Sequence, residues 1–226
     1  IYSFDEAIRQ AKEDNGNKLC TKGMRLLLGN GFSQAYYGDF SYTTLFDAIR
    51  QEKENKKIKK LFEHFGTSNF ETVLRFLKDA QFLSTIYKFS AKEIKKDYER
   101  VQNALASAIV KVHPEKTSKI PDKNKSACYQ FLKDFDDVYT VNYDLLLYWV
   151  LVQDPELVFG DYFYREEETP SEYCEYVQDG SKSIKHVFFL HGALHLYLKE
   201  GITTKKVWGN AIPLIKQIKS EMENGY

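Results

Sequence analysis

At 226 residues, 43% hydrophobic and 15% aromatic, the chain has the apolar mass to bury a substantial core, which excludes a disordered chain. Thirty-two basic residues balance 32 acidic ones, so charge offers no handle for nucleic acid or an anionic membrane, and neither partner is expected. The three cysteines, Cys20, Cys128 and Cys174, form no C-x-x-C pair, so neither a disulfide framework nor a zinc module is supported, and a reducing, cytoplasmic setting is expected.

In chain order, residues 3–14 read as an amphipathic helix with Phe4, Ala7, Ile8 and Ala11 on one face and Ser3/Glu6 at capping-box spacing. Arg25-Leu26-Leu27-Leu28 is a short apolar run that stops at a glycine, as a buried strand does. Residues 42–135 then turn helical. Leu45, Phe46 and Ile49 mark one helix. Phe70, Val73, Leu74, Leu77 and Phe82 mark a second, with Ser68/Glu71 as its capping box. Ile94, Tyr98, Val101, Leu105, Ile109 and Val112 mark a third, opened by Ser90/Glu93. Pro114 and Pro121 make 113–126 a loop, and 127–135 resumes as a short helix. The lysine clusters at 56–60 and 116–125 read as solvated surface.

Strand signals return with 138–141, followed by a buried helix over 145–152, a further strand within 157–164 and an exposed acidic loop over 166–179. Val187-Phe188-Phe189-Leu190 is a buried strand that stops at His191-Gly192. The expected fold is α/β, a Rossmann-like parallel sheet built from 20–41 and 136–226 with a large helical insertion over 42–135.

Three strands thus end in small sets of polar and glycine residues. Parallel strands bring such ends to one edge, where ligands of open α/β sheets bind. Gly29-Asn30-Gly31-Phe32-Ser33 leads from a strand toward a helix, and backbone N–H groups of such a turn cradle phosphate. An ordinary tight turn explains it equally well, because position 34 is Gln and the full G-x-G-x-x-G is not present. Thr140-Val141-Asn142-Tyr143-Asp144 offers more polar groups than one helix cap needs, and a carboxamide at Asn142 suits a water or a ribose hydroxyl. His191 is a candidate general base. His191 and His195 stand at i, i+4, but no H-E-x-x-H and no third ligand accompany them, so no metal is expected.

The succession G-x-G-x-S after one strand, T-x-N-x-D after a second and H-G after a third resembles the sirtuin superfamily, specifically the bacterial sirtuin-like domains that consume NAD. Ser68-Asn69-Phe70-Glu71 resembles a segment found in those proteins. The resemblance covers 25–33, 138–147 and 187–192. It implies that Gly29, Asn30, Gly31, Phe32, Ser33, Thr140, Asp144 and Gly192 bind NAD, with the pyrophosphate on the glycine turn and Asp144 by the nicotinamide. Asn142 and His191 would be the catalytic pair of an NAD glycohydrolase acting in anti-phage defence. By the same analogy the protein is a possible homo-oligomer, or works with a partner or effector. Deacylases of the superfamily carry a four-cysteine zinc module, which this sequence lacks. The sequence is expected to be one sirtuin-like domain from a longer protein. Alternative readings are a non-catalytic module that senses NAD or an ADP-ribose derivative, and a deacylating or ADP-ribosyl-transferring enzyme.

Overall fold

The computed structural model describes residues 6, 8–10, 13, 23–52, 55–153, 159–164, 173–177, 185–199, 201–206, 215–216 and 218. Residues 6, 8–10 and 13 are helical, as the N-terminal periodicity predicts, while Ser3, Phe4, Ala7 and Ala11 lie outside the described residues. The chain divides into two compact units.

The first unit, Ile1–Tyr36 with Ile120–Gly209, holds a four-stranded sheet in which every pairing is parallel. Its strands are β1 (Arg25–Leu28), β2 (Asp137–Thr140), β3 (Phe159–Gly160) and β6 (Lys185–Phe189), in the order β1-β2-β6-β3. With helices α1 (Asn30–Tyr36), α6 (Asp122–Leu132) and α7 (Leu146–Gln153) packed on one another, this is a mixed α/β unit consistent with a Rossmann-like fold. Register alternates the faces. Leu28, Val138, Thr140 and Val187 are buried on one face, whereas Leu27 on the other is 66% exposed. Leu28, Thr140 and Phe189 stand level across β1, β2 and β6, so the strands end together.

A second sheet was not legible beforehand. It is antiparallel, ordered β4-β5-β8-β7, from β4 (Phe163–Tyr164), β5 (Tyr173–Tyr176), β7 (Leu196–Lys199) and β8 (Ile202–Lys206). Residues 157–164, read as one strand, hold two short ones in different sheets, separated at Tyr162, which has φ +61°. The expected loop over 166–179 contains β5, because cross-strand partners on β4 and β8 outweigh the polarity of the segment. Gly201 adopts φ +84° in the connection from β7 to β8, a conformation that suits glycine.

The second unit, Tyr37–Lys119 with Asn210–Tyr226, is helical where described: α2 (Tyr42–Ile49), α3 (Lys56–Phe65), α4 (Phe70–Tyr87) and α5 (Lys92–Val112), with α5 packing along both α4 and α2. The Ser41 hydroxyl accepts the Thr44 N–H and opens α2. Helix α4 is capped by Asn69, not by Ser68: the Asn69 side-chain oxygen Oδ1 accepts the N–H groups of Glu71 and Thr72. The expected Ser90 box at α5 shrinks to one long bond, Lys92 N–H to Ser90 Oγ at 3.4 Å, with Ala91 at the cap. Phe62 is buried between Phe46, stacked at 4.6 Å, and Phe70, edge-on at 4.8 Å. Asp97 is buried with two cations, Lys57 at 2.6 Å and Arg100 at 2.8 Å, so part of the 56–60 lysine cluster is engaged within the unit. Helix α6 begins at Asp122, five residues before the expected start, with Pro121 at its N-cap, whose carbonyl accepts the N–H groups of Asn124 and Lys125. It belongs with the first unit.

Candidate functional site at the strand ends

Parallel register carries Gly29, Asn142 and His191 to the same edge of the sheet. The Val141 N–H donates to the Leu28 carbonyl at 3.1 Å, and the Leu190 N–H to Thr140 at 2.9 Å, which extends the ladder to the last residue of each run. Beyond it the side chains take over. Asn142 Nδ2 donates to the Gly29 carbonyl at 3.0 Å and to Ser33 Oγ at 2.9 Å. Ser33 Oγ donates to Asp144 Oδ2 at 2.6 Å, and the other carboxylate oxygen accepts the Leu146 N–H at 2.8 Å at the start of α7. Thr140 Oγ1 accepts the Asn142 N–H at 3.1 Å. Ser33, Thr140, Asn142 and Asp144 are all buried.

The electrostatics follow from that burial. Desolvation raises the Asp144 carboxyl above its ordinary range, and the bonds from Ser33 and Leu146 hold it back in part. A short bond from a hydroxyl to a buried carboxylate is the strongest polar link here, and it joins residues 111 positions apart in sequence.

The glycines behave differently from the expected sharp turn. Neither Gly29 nor Gly31 has positive φ, and Gly31 lies inside α1. A Cβ added to either would meet no atom within 4 Å. By contrast, a Cβ on Gly23 would run into the Asp136 carboxylate, and Gly192 adopts φ +80°. Phe32 is buried and stacked on Tyr36, so it is a core residue of α1 rather than a surface for ligand.

His191 is exposed, with its Nδ1 3.5 Å from the Tyr143 hydroxyl. Tyr143 thereby links the second and third strand ends, and its carbonyl also accepts the Leu194 N–H at 2.8 Å. Sequence reasoning overlooked Tyr143, although it lies between two residues singled out. His195 does not join His191. The segment between them is a turn rather than a helix, so an i, i+4 spacing creates no shared face. His195 is fully buried between Tyr148 at 4.7 Å and Phe189 at 5.2 Å, and neither ring nitrogen has a hydrogen-bond partner among the described residues. Burial, with Lys205 second, pushes its imidazole down to about 3. Among the described residues no group of three metal-ligating side chains occurs.

A family model described as a domain of unknown function, DUF4917, matches residues 26–224. The chain belongs to the DUF4917 family. The match therefore includes all three strand ends of this family member. No curated protein matches the chain at a significant level. No helix among the described residues is long and apolar enough to cross a membrane.

Proposed function

We propose that the strand-end cluster binds NAD and cleaves its nicotinamide–ribose bond. One observation carries this reading: Asn142 ties the Gly29 carbonyl to Ser33, which in turn donates to Asp144, beside two glycines at which a Cβ would meet no neighbour. Open backbone at 29–31 suits close approach of a pyrophosphate. The motif resemblance to NAD-consuming sirtuin-like domains supplies the substrate class, and their role in anti-phage defence is carried over by analogy.

The chemistry is hydrolysis. Water attacks the ribose carbon as the C–N bond breaks, nicotinamide leaves with the bonding pair, and the proton of the water passes to a base. His191 serves as that base in this reading, with its ring exposed at the third strand end. Asn142 has both Nδ2 hydrogens directed at protein acceptors, which leaves its carbonyl oxygen to orient water or ribose. Asp144 is buried behind Ser33 and fixes its hydroxyl.

That same use of the Asn142 amide favours a second reading, a module that binds NAD or an ADP-ribose derivative without turnover. Nicotinamide release by the wild-type chain, falling about a hundredfold or more in His191→Ala, supports hydrolysis. NAD binding with no release supports the sensor. Absence of NAD binding refutes both. Asn142→Ala is informative only beside a stability measurement, since it also removes two structural bonds.

A further inference from the structure

A cleft of about 400 Å³ lies in the first unit, lined by β6 of the parallel sheet and by strands of the antiparallel one. It shares no residue with the Gly29–Ser33–Asn142–Asp144 cluster, although Leu190 on its wall precedes His191. Five aromatic side chains, Tyr162, Phe163, Tyr176, Phe188 and Phe189, dominate the lining. The lining residues with polar side-chain groups are Asp161, Thr203 and, through their phenolic hydroxyls, Tyr162 and Tyr176.

Three features make this a formed cavity rather than a packing fault. Tyr162 has φ +61°, a costly conformation for a bulky residue that persists only where the surroundings fix it. Those surroundings are present: its carbonyl accepts the Val177 N–H at 2.9 Å, and its ring stacks on His186 at 5.1 Å and 19°. Asp161 is also fixed, by Lys205 Nζ at 2.5 Å and by the Phe163 N–H at 3.2 Å. Phe163 meets Tyr176 edge-on at 5.7 Å.

The chemistry of the walls selects the ligand. Lys205 already balances the Asp161 charge, so no net charge waits for an ion. Aromatic walls favour a flat π-system, and an acyl chain would leave the Asp161–Lys205 pair and the Thr203 hydroxyl facing methylenes. The volume lies within the range of small-molecule sites. A polar lining group can bond a ring N–H or amino group while a sugar stays toward water. We propose that this cleft binds a purine nucleoside, base inward. The proposal stands apart from the NAD reading, since a nucleoside could come from the dinucleotide itself or arrive free.

Calorimetric titration of the full chain with adenosine tests it, with ribose as the probe lacking a base. Adenosine is expected to saturate one site and ribose to give none. Tyr162→Ala should weaken adenosine at least tenfold, and Tyr162→Phe less than about threefold, as base stacking requires. Thr203→Trp, at an exposed rim position, should block the cleft without touching the core. Saturating NAD separates the sources: displacement of adenosine makes the cleft part of the dinucleotide site, and joint binding makes it a nucleoside site of its own. No adenosine binding, equal binding of ribose, or affinity unchanged in both Tyr162→Ala and Thr203→Trp overturns the proposal. Nicotinamide release can persist in either case, so the two readings fail separately.

Discussion

Ser33→Ala isolates the link between the first and second strand ends. It deletes the hydroxyl that donates to Asp144 at 2.6 Å and accepts from Asn142 at 2.9 Å, in a site with no exposure at Ser33. A hydrogen bond to a buried charged group contributes about 1.5–3 kcal/mol, and the neutral one about 0.5–1.5 kcal/mol. Asn142 keeps its bond to the Gly29 carbonyl, so the second contribution falls at the low end. The expected loss is therefore about 2–4 kcal/mol, or roughly 4–15 °C in Tm for a chain of this size. Ser84→Ala is the matched control. That hydroxyl is also buried and its bond is also 2.6 Å long, but it returns to the Gln81 carbonyl within α4. There alanine gains helix propensity and the carbonyl keeps its helical environment, so the change should stay within about 1 kcal/mol. Urea unfolding followed by circular dichroism and tryptophan fluorescence measures both. If Ser33→Ala costs no more than Ser84→Ala, the strand-end network does not hold the two turns together.

Asp144→Asn tests the buried carboxyl by pH. Its folded value is raised, so the native state holds the proton more tightly, and stability is greatest below the ordinary carboxylate range and lost as pH rises through the folded value. Urea midpoints should fall with pH more steeply in wild type than in Asp144→Asn; parallel profiles contradict this. His195 acts with the opposite sign, because an imidazole lowered from 6.5 to about 3 charges first in the unfolded chain. Wild-type stability should drop by up to about 1.4 kcal/mol per pH unit below 6.5, and His195→Phe should flatten that slope while remaining folded at pH 7. Gly31→Ala should stabilise α1 by about 0.5–1 kcal/mol, since a Cβ there meets nothing, and yet weaken NAD at least tenfold by blocking backbone approach. Unchanged NAD affinity in that variant argues against a pyrophosphate at the glycine turn.

The parallel sheet was readable because each strand is a short apolar run with an abrupt end. Leu26–Leu28, Val138–Val141 and Val187–Leu190 announce β1, β2 and β6, and parallel pairing then places their ends together. Helices α4 and α5 were readable from apolar spacing, although Phe82 of the α4 pattern is exposed. The antiparallel sheet was hidden by its own chemistry. Strand β8 ends in Lys205 and Lys206, both buried, which hydropathy assigns to the surface. Lys205 is tolerated inside because Asp161, 44 residues earlier, pairs with it. No local pattern carries that information. Likewise the site residues could be named from sequence, but not their tasks, since the Asn142 bonds reach back 113 and 109 residues.

Those tasks reorder the strand-end cluster. Ser33, Thr140, Asn142 and Asp144 each have a structural bond that accounts for a polar group in a buried place, so the fold alone gives a reason for them. Gly29, Gly31 and His191 have no such account. The glycines answer neither a positive φ nor a close neighbour, and the exposed histidine has one long contact to Tyr143. Replacing a side chain that also carries fold bonds should cost stability along with function, whereas replacing one that the fold does not explain should affect ligand alone. The division expected is therefore clean: substitutions in the buried four lower stability and binding together, and Gly31→Ala or His191→Ala lower binding or turnover with the fold intact. A mixed pattern, with His191→Ala destabilising the chain by as much as Ser33→Ala, would mean that the third strand end is scaffold and that the reacting groups must be sought elsewhere on this edge.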